Sequence, residues 1–331
     1  MNNTFSQSPL VIFRVLANSL GTPSGMLMDA GPGDAQALLA LFEDEHFGAL
    51  AGEMACHYRQ DLAPALAEAL SGAGWKPLFP EDLLRADQQL VKEDFPRRGV
   101  LIEGDWCLAP PPKPSGAQAA SRALALQLAQ LVAADAHTHD IEALLRKDPT
   151  LSYHLLRLVN SLGMGVGRRI TSFSQAILIL GRQQLRRWVN LMLFAARQGD
   201  HRSAMLLARV AVRGRLLEQL CKMRGLDKQM QDQAFIAGMF SLLDVLFGMP
   251  LDEVLAPLSM SEVVHAALLE QKGELGQMLR LCEAIEAGDF AALAAGLAGL
   301  NVERAEFNHA LAEANHWMLG AIRDDQAGPN G

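Results

Sequence analysis

The chain has 331 residues, half of them hydrophobic and a fifth charged, with a formal net charge of −8. That composition supplies a substantial core and excludes generic attraction to nucleic acid or anionic lipid. No apolar run reaches the ~18–20 residues of a membrane-spanning helix. The N-terminus lacks the basic-then-apolar layout of a secretory signal. Cys56, Cys107, Cys221 and Cys282 are too scattered for a disulfide framework or a cysteine zinc site, so a cytoplasmic protein with buried thiols is expected.

In chain order, Val11 to Val15 is a β-like run. A Gly/Pro/Ser turn and a second apolar run follow, which predicts a strand pair. Asp34 caps a helix that presents Ala37, Leu38, Leu41 and Phe42. Another helix is expected from about Gly52 to Leu70, stopped by Gly72-Ala73-Gly74. It would place the adjacent Cys56 and His57 on diverging directions. Pro77 and Pro80 break the next segment, and Val100-Leu101-Ile102 reads as a strand running into Gly104-Asp105-Trp106. The stretch Pro110-Pro111-Pro112-Lys113-Pro114-Ser115-Gly116 is a linker, stiff in its proline part. It divides a small α/β domain, 1–113, from a helical domain, 117–331.

Beyond the linker, Leu124, Leu128, Leu131 and Val132 form one face of a helix. Ile141 to Arg197 then reads as four short helices joined by marked turns. The first carries Ile141, Leu144 and Leu145. Asp148 caps the second, with Pro149 at its first position and a stripe of Leu151, Leu155, Leu158, Val159 and Leu162. Glycines 163, 165 and 167 end it. Ala176, Ile177 and Leu180 belong to the third, and Leu185, Trp188, Val189, Met192 and Leu193 to the fourth. A long basic amphipathic helix is expected over 202–224, and Asp227 caps the one after it. Four or so more follow from Pro250, including the small-residue run 291–300 and a last helix over 301–322.

The order D-P-x-L-S-x-x-L-L-R-L-V-N-S from Asp148 to Ser161 closely resembles the HDOD domain. So do R-x-I-x-S-x-x-x-A-I-x-x-L-G from Arg169 and L-R-R-W-V from Leu185. The resemblance spans roughly Ala117 to Arg323. It implies an all-helical regulatory module related to the HD phosphohydrolases, and a mainly α fold class with a small α/β domain in front. In some HDOD proteins that preceding domain is a cyclic di-GMP phosphodiesterase barrel of the EAL type. Residues 86–94 and 104–110 resemble fragments of one. Such a barrel takes about 200–250 residues, so 1–113 would be a truncated remnant. Glu68-Ala69-Leu70 and Glu142-Ala143-Leu144 spell the tripeptide inside helical runs and are read as chance.

An active HD site holds metal with histidine and aspartate, because the ion must lower the pKa of a bound water. The resemblance puts Ser241 and Leu242 where the His-Asp doublet belongs, with Asp244 two residues on, and no histidine occurs between Arg202 and Val264. Asp244 is expected to face solvent or cap backbone. No residue is therefore assigned a catalytic role, and no metal or cofactor is expected. His137-Thr138-His139 reads as a surface loop before an Asp140 cap, and nucleophile elbows and phosphate-binding loops are missing.

One feature is open to a binding role. From Arg146 to Arg197 there are nine Arg/Lys and one acid, about +8, which leaves about −16 for the rest of a chain of net −8. Arg168, Arg169, Arg182, Arg186 and Arg187 could grip phosphate or carboxylate bidentately, first of all on the acidic remainder of the same chain, or else on an acidic partner, a nucleotide or nucleic acid. The expectation is a non-catalytic signalling protein that docks a protein partner, linked to cyclic di-GMP signalling, with a homodimer left open and no membrane. The alternatives are a divergent metal-dependent phosphohydrolase or cyclic nucleotide phosphodiesterase, and a nucleic-acid or nucleotide-binding regulator using those arginines.

Overall fold

The computed structural model of the chain describes residues 8–91, 94–110, 136–145, 200–256 and 260–326, with a few positions between 127 and 134. β1 (Val11–Ala17) and β2 (Pro23–Ala30) form the expected antiparallel pair, from Val11 opposite Ala30 to Leu16 opposite Gly25. The turn between them needs a glycine. Gly21 has φ +76°, and a Cβ there would lie 2.8 Å from the His201 carbonyl oxygen. Asp34 caps α1 (Ala35–Leu38) as expected, but the helix tightens at once into a 3-10 turn, Leu39–Glu43. Asp44 then caps a separate helix, α2 (Glu45–Glu53).

The helix expected from Gly52 to Leu70 does not form. Met54 is already extended, and β3 (Ala55–Arg59) follows, so Cys56 and His57 lie on a strand with Cys56 turned inward. α3 (Pro64–Gly72) starts afresh with its proline in the first turn, where the missing N–H costs nothing. Two strands of three residues each, β4 (Lys76–Leu78) and β5 (Leu83–Arg85), flank the proline-punctuated stretch. β6 (Leu101–Glu103) is where the sequence placed it.

The strand order is β4-β3-β2-β1-β6-β5. β2, β3 and β4 are mutually parallel, β5 and β6 are parallel, and β1 is antiparallel to both of its neighbours. Five strands therefore run one way and β1 runs against them. Through Phe13 the outer face of the sheet meets α2 and the turn after α3. Phe47 stacks on Trp75 with ring centroids 5.4 Å apart, and Phe13 lies 6.0 Å from Trp75. On the inner face Leu16, Leu27 and Leu78 form a small second core, with Leu83 and Leu101 against it. Residues from both edge strands meet there, so the sheet curls on itself.

Among the described residues the helices that follow are α4 (Thr138–Leu145), α5 (Ser203–Met223), α6 (Lys228–Phe240), α7 (Leu243–Phe247), α8 (Leu251–Leu255), α9 (Glu262–Glu270), α10 (Gly273–Ala287), α11 (Phe290–Leu300) and α12 (Arg304–Gln326). Asp227 caps α6 as expected, accepting from Met230 N. α4 starts at Thr138, so Asp140 lies inside its first turn and not at the cap. α5 is buried nearly all round, Arg213, Glu218 and Gln219 included, in place of the one-sided basic helix expected. It crosses α6 so closely that a Cβ on Gly238 would lie 2.5 Å from the Gly214 backbone. α12 is stitched to the sheet by Asn308, whose Oδ1 accepts from Val11 N at 3.0 Å and whose Nδ2 donates to Pro9 O at 2.8 Å.

One hydrophobic cluster runs from β1 and α2 through α5 and α6 to α12. The expected class, mainly α with a small α/β attachment, is thereby corrected. The chain is a helical body built onto a six-stranded mixed sheet that shares its core. Three of the six strands have only three residues, too few to show a period of two in sequence.

Candidate functional site

Parallel sheets gather functional groups at the carboxyl ends of their strands. Here those ends carry Asp29 on β2, Arg59 on β3, Arg85 on β5 and Glu103 on β6, with Arg14 of the opposed β1 among them. Alternation along each strand puts all five on the inner face, above the small leucine core. Arg59 Nε bonds Asp29 at 2.9 Å and Nη2 bonds both Glu103 oxygens at 2.8 and 3.0 Å. Arg14 bonds Asp29, and Glu103 at 3.1 Å. Two guanidinium groups and two carboxylates thus close on one another. Burial works to lower the Arg59 pKa, but Asp29 and Glu103 outweigh it and raise it.

The helical body sits over this end of the sheet. Arg209 of α5 bonds Gly104 O at 2.9 Å and Asp105 at 2.7 Å, reaching Glu286 of α10 at 3.5 Å. Arg213, one turn on, makes a bidentate pair with Glu286, both bonds 2.7 Å, and gives its remaining Nη1 to Ser241 Oγ at 2.8 Å. Burial would raise the Glu286 pKa, yet Arg213 and then Arg209 hold it below the usual carboxylate range.

Between the two groups lies a cavity of about 90 Å³, lined by residues of β1, β5, β6, α5, α10 and α12. Its charged lining is Arg14, Arg85, Arg209 and Arg213 against Asp87, Glu103, Asp105 and Glu286. The sum is zero. Such a lining offers a phosphodiester no net attraction. The volume suits a few ordered waters and is well below the ~300–1,000 Å³ of clefts that hold drug-sized ligands. Asn315 also lines it. Its Nδ2 donates to Leu311 O at 2.8 Å, while Oδ1 meets no donor among the described residues.

The positions that the HDOD resemblance assigns to a His-Asp doublet are held as follows. Ser241 Oγ donates to Gly238 O at 2.7 Å and accepts from the Arg213 cation. Leu242 is buried and has no donor atom to offer. Asp244, in the first turn of α7, is half-buried, and its Oδ1 is shielded with no hydrogen bond among the described residues. It makes no side-chain capping bond among the described residues. Among the described residues no group of three or more His, Cys, Asp or Glu could hold a metal.

Arg168, Arg169, Arg182, Arg186 and Arg187 lie outside the described residues, as do the linker, Asn160, Ser161 and Trp188. His137 and His139 are exposed. All four cysteines are free and buried; burial pushes Cys56, Cys221 and Cys282 up to about 12. Sequence reasoning missed Arg14, Asp29, Arg59, Glu103, Arg209, Arg213 and Glu286. The available signals were an arginine alone inside an apolar strand, and charges at positions where α5 and α10 should be apolar.

Comparison with known proteins places a family on part of this chain. The HDOD domain model matches residues 121–247, so the chain carries an HDOD domain there. The cyclic di-GMP phosphodiesterase CdgJ of Vibrio cholerae serotype O1 is 31% identical over 177 residues, 54% of this chain and 40% of that protein. The uncharacterized protein YuxH of Bacillus subtilis is 29% identical over 148 residues, 44% of this chain and 36% of its own. The chain thus spans about two-fifths of the curated relatives it matches. A solved protein from Shewanella amazonensis SB2B covers 61% of this chain and 93% of itself at 17% identity and a TM-score of 0.43, too slight a likeness to bear on the fold. No described helix is long and apolar enough to cross a membrane.

Proposed function

We propose that this HDOD-bearing chain is a bacterial signalling protein that acts by recognising a protein partner, without chemistry of its own. The observation that carries the reading is Arg213. Its guanidinium occupies Ser241, the residue at the histidine position of an HD doublet, and is itself neutralised by Glu286. A cation already fills the ground a metal would need. In this reading the strand ends of the sheet are closed by their own ion pairs, and the HDOD domain is the docking module. The name of the Vibrio relative supports a link to cyclic di-GMP signalling.

The experiment is affinity capture with the full chain and with a variant in which Arg182, Arg186 and Arg187 are all changed to glutamate. A protein retained by the first and lost by the second supports docking through those arginines. Equal capture by both removes the arginines from the reading. A rival is the phosphodiesterase activity that the relative's name states, decided by turnover. A nucleic-acid regulator is the other rival, and it would show a steep fall of affinity with salt.

A further inference from the structure

α2 and α12 carry three histidines and two carboxylates at their contact, none of them part of the ion-pair networks above. His46 Nδ1 lies 2.9 Å from His316 Nδ1, with ring centroids 5.2 Å apart. His316 Nε2 lies 3.2 Å from Glu53 Oε1, and His309 Nδ1 lies 2.8 Å from Asp44 Oδ2.

The proton positions follow from donor and acceptor rules. Two facing imidazole nitrogens can bond only if one carries a hydrogen and the other does not. A carboxylate accepts, so His316 keeps its hydrogen on Nε2 for Glu53. A neutral His316 therefore accepts on Nδ1, and His46 donates. One added proton is tolerated. His316 then carries both hydrogens, His46 accepts, and the charge sits between Glu53 and a neutral ring. A second proton leaves two N–H donors and two like charges face to face at 2.9 Å.

We propose that the His46–His316 hydrogen bond is a proton-operated latch between the sheet layer and the C-terminal helix, closed with no or one added proton and opened by the second. The charged groups around it are few. From α2 come Glu53 and the capping Asp44, and from α12 comes His309. Arg215 of α5 is turned to Glu313 and Glu218, Arg14 of β1 to Asp29 and Glu103, and Glu43 of the 3-10 turn is exposed. Glu53 bonds His316 and Asp44 lies near His46, but neither carboxylate can restore a hydrogen bond between two facing N–H donors. Opening would move the helix that carries Asn315 into the cavity wall and Asn308 onto β1.

The test is hydrogen exchange of the full chain between pH 5 and 8, corrected for intrinsic rates and read over residues 45–53 and 304–322. Opening takes up one proton in the acid range, so protection should fall by about tenfold per pH unit there. His46→Asn supplies an amide N–H to His316 Nδ1 without titrating. It should flatten that slope and leave protection at pH 7.5 within about twofold. His309→Asn should keep the slope. Equal slopes in wild type and His46→Asn, or full protection down to pH 5, overturn the latch. The wild-type ring nitrogens provide a check independent of any variant. By NMR they should titrate in two linked steps, and two independent single titrations overturn it as well.

Discussion

Changing Arg213 to methionine removes the cation that closes both Glu286 and Ser241, and its cost can be worked from the geometry. The side chain is 6% exposed and makes three hydrogen bonds, two at 2.7 Å to Glu286 and one at 2.8 Å to Ser241. The charge centres of such a bidentate pair are about 4 Å apart, where the attraction is ~4 kcal/mol at an effective dielectric constant of about 20. Without Arg213, Glu286 keeps Arg209, 3.5 Å away, as its one cation among the described residues. Removing one partner of a buried pair costs about 3–5 kcal/mol, in agreement with the Coulomb figure. Replacing both partners with apolar residues should recover most of that loss, because no charge is then left uncompensated. Urea unfolding of wild type, Arg213→Met, Glu286→Met and the double variant at pH 7.5, followed by circular dichroism, measures the coupling. A loss under ~1 kcal/mol for Arg213→Met, or a double variant as unstable as the sum of the singles, would refute the account of a closed buried pair.

Further outcomes are expected elsewhere in the molecule. Because the Glu286 pKa is held below its ordinary value, its contribution is complete above the unfolded carboxylate pKa of about 4.3 and is lost as pH falls through the folded one. Glu286→Gln should therefore narrow the stability gap between pH 7 and pH 3, and an unchanged gap contradicts the assignment. Gly238→Ala forces a methyl group against the Gly214 backbone and should cost at least ~2–3 kcal/mol by overpacking, read as a lower urea midpoint. Asn308→Leu leaves Val11 N unpaired inside the core, about 1–3 kcal/mol, and Pro9 O with the 3.5 Å bond from Ser8 Oγ. Amide exchange at Val11 should quicken more than at Met28. Native protein at pH 8 should react with fewer than one thiol equivalent of a disulfide reagent within minutes, whereas the unfolded chain exposes all four cysteines.

Capped helices and long strands were legible in the sequence. Asp34 and Asp227 were visible as caps because a short acceptor side chain before an apolar run has one structural use there. β1 and β2 were visible because seven or eight residues are enough to show their pattern. β3 was concealed because Met54 to Tyr58 also fits helical spacing, and what separates strand from helix is a partner, β2, 25 or more residues away. β4 and β5 sit against prolines that ordinarily mark a break. The ion pairs at the strand ends are non-local as well: Arg14 meets Glu103, and Arg213 meets Glu286, 73 residues on. No local periodicity encodes such pairs. That Ser241 and Leu242 offer no good ligand for a divalent ion could be read directly. The arginine bonded to Ser241 could not.

The most direct measurement is turnover. Full chain purified without chelator is supplied with Mg²⁺ or Mn²⁺ and incubated with cyclic di-GMP, and separately with bis(p-nitrophenyl) phosphate. The account predicts no hydrolysis above the protein-free rate in either case. Metal-dependent hydrolysis that disappears in Asp244→Ala would contradict it and make this chain an enzyme.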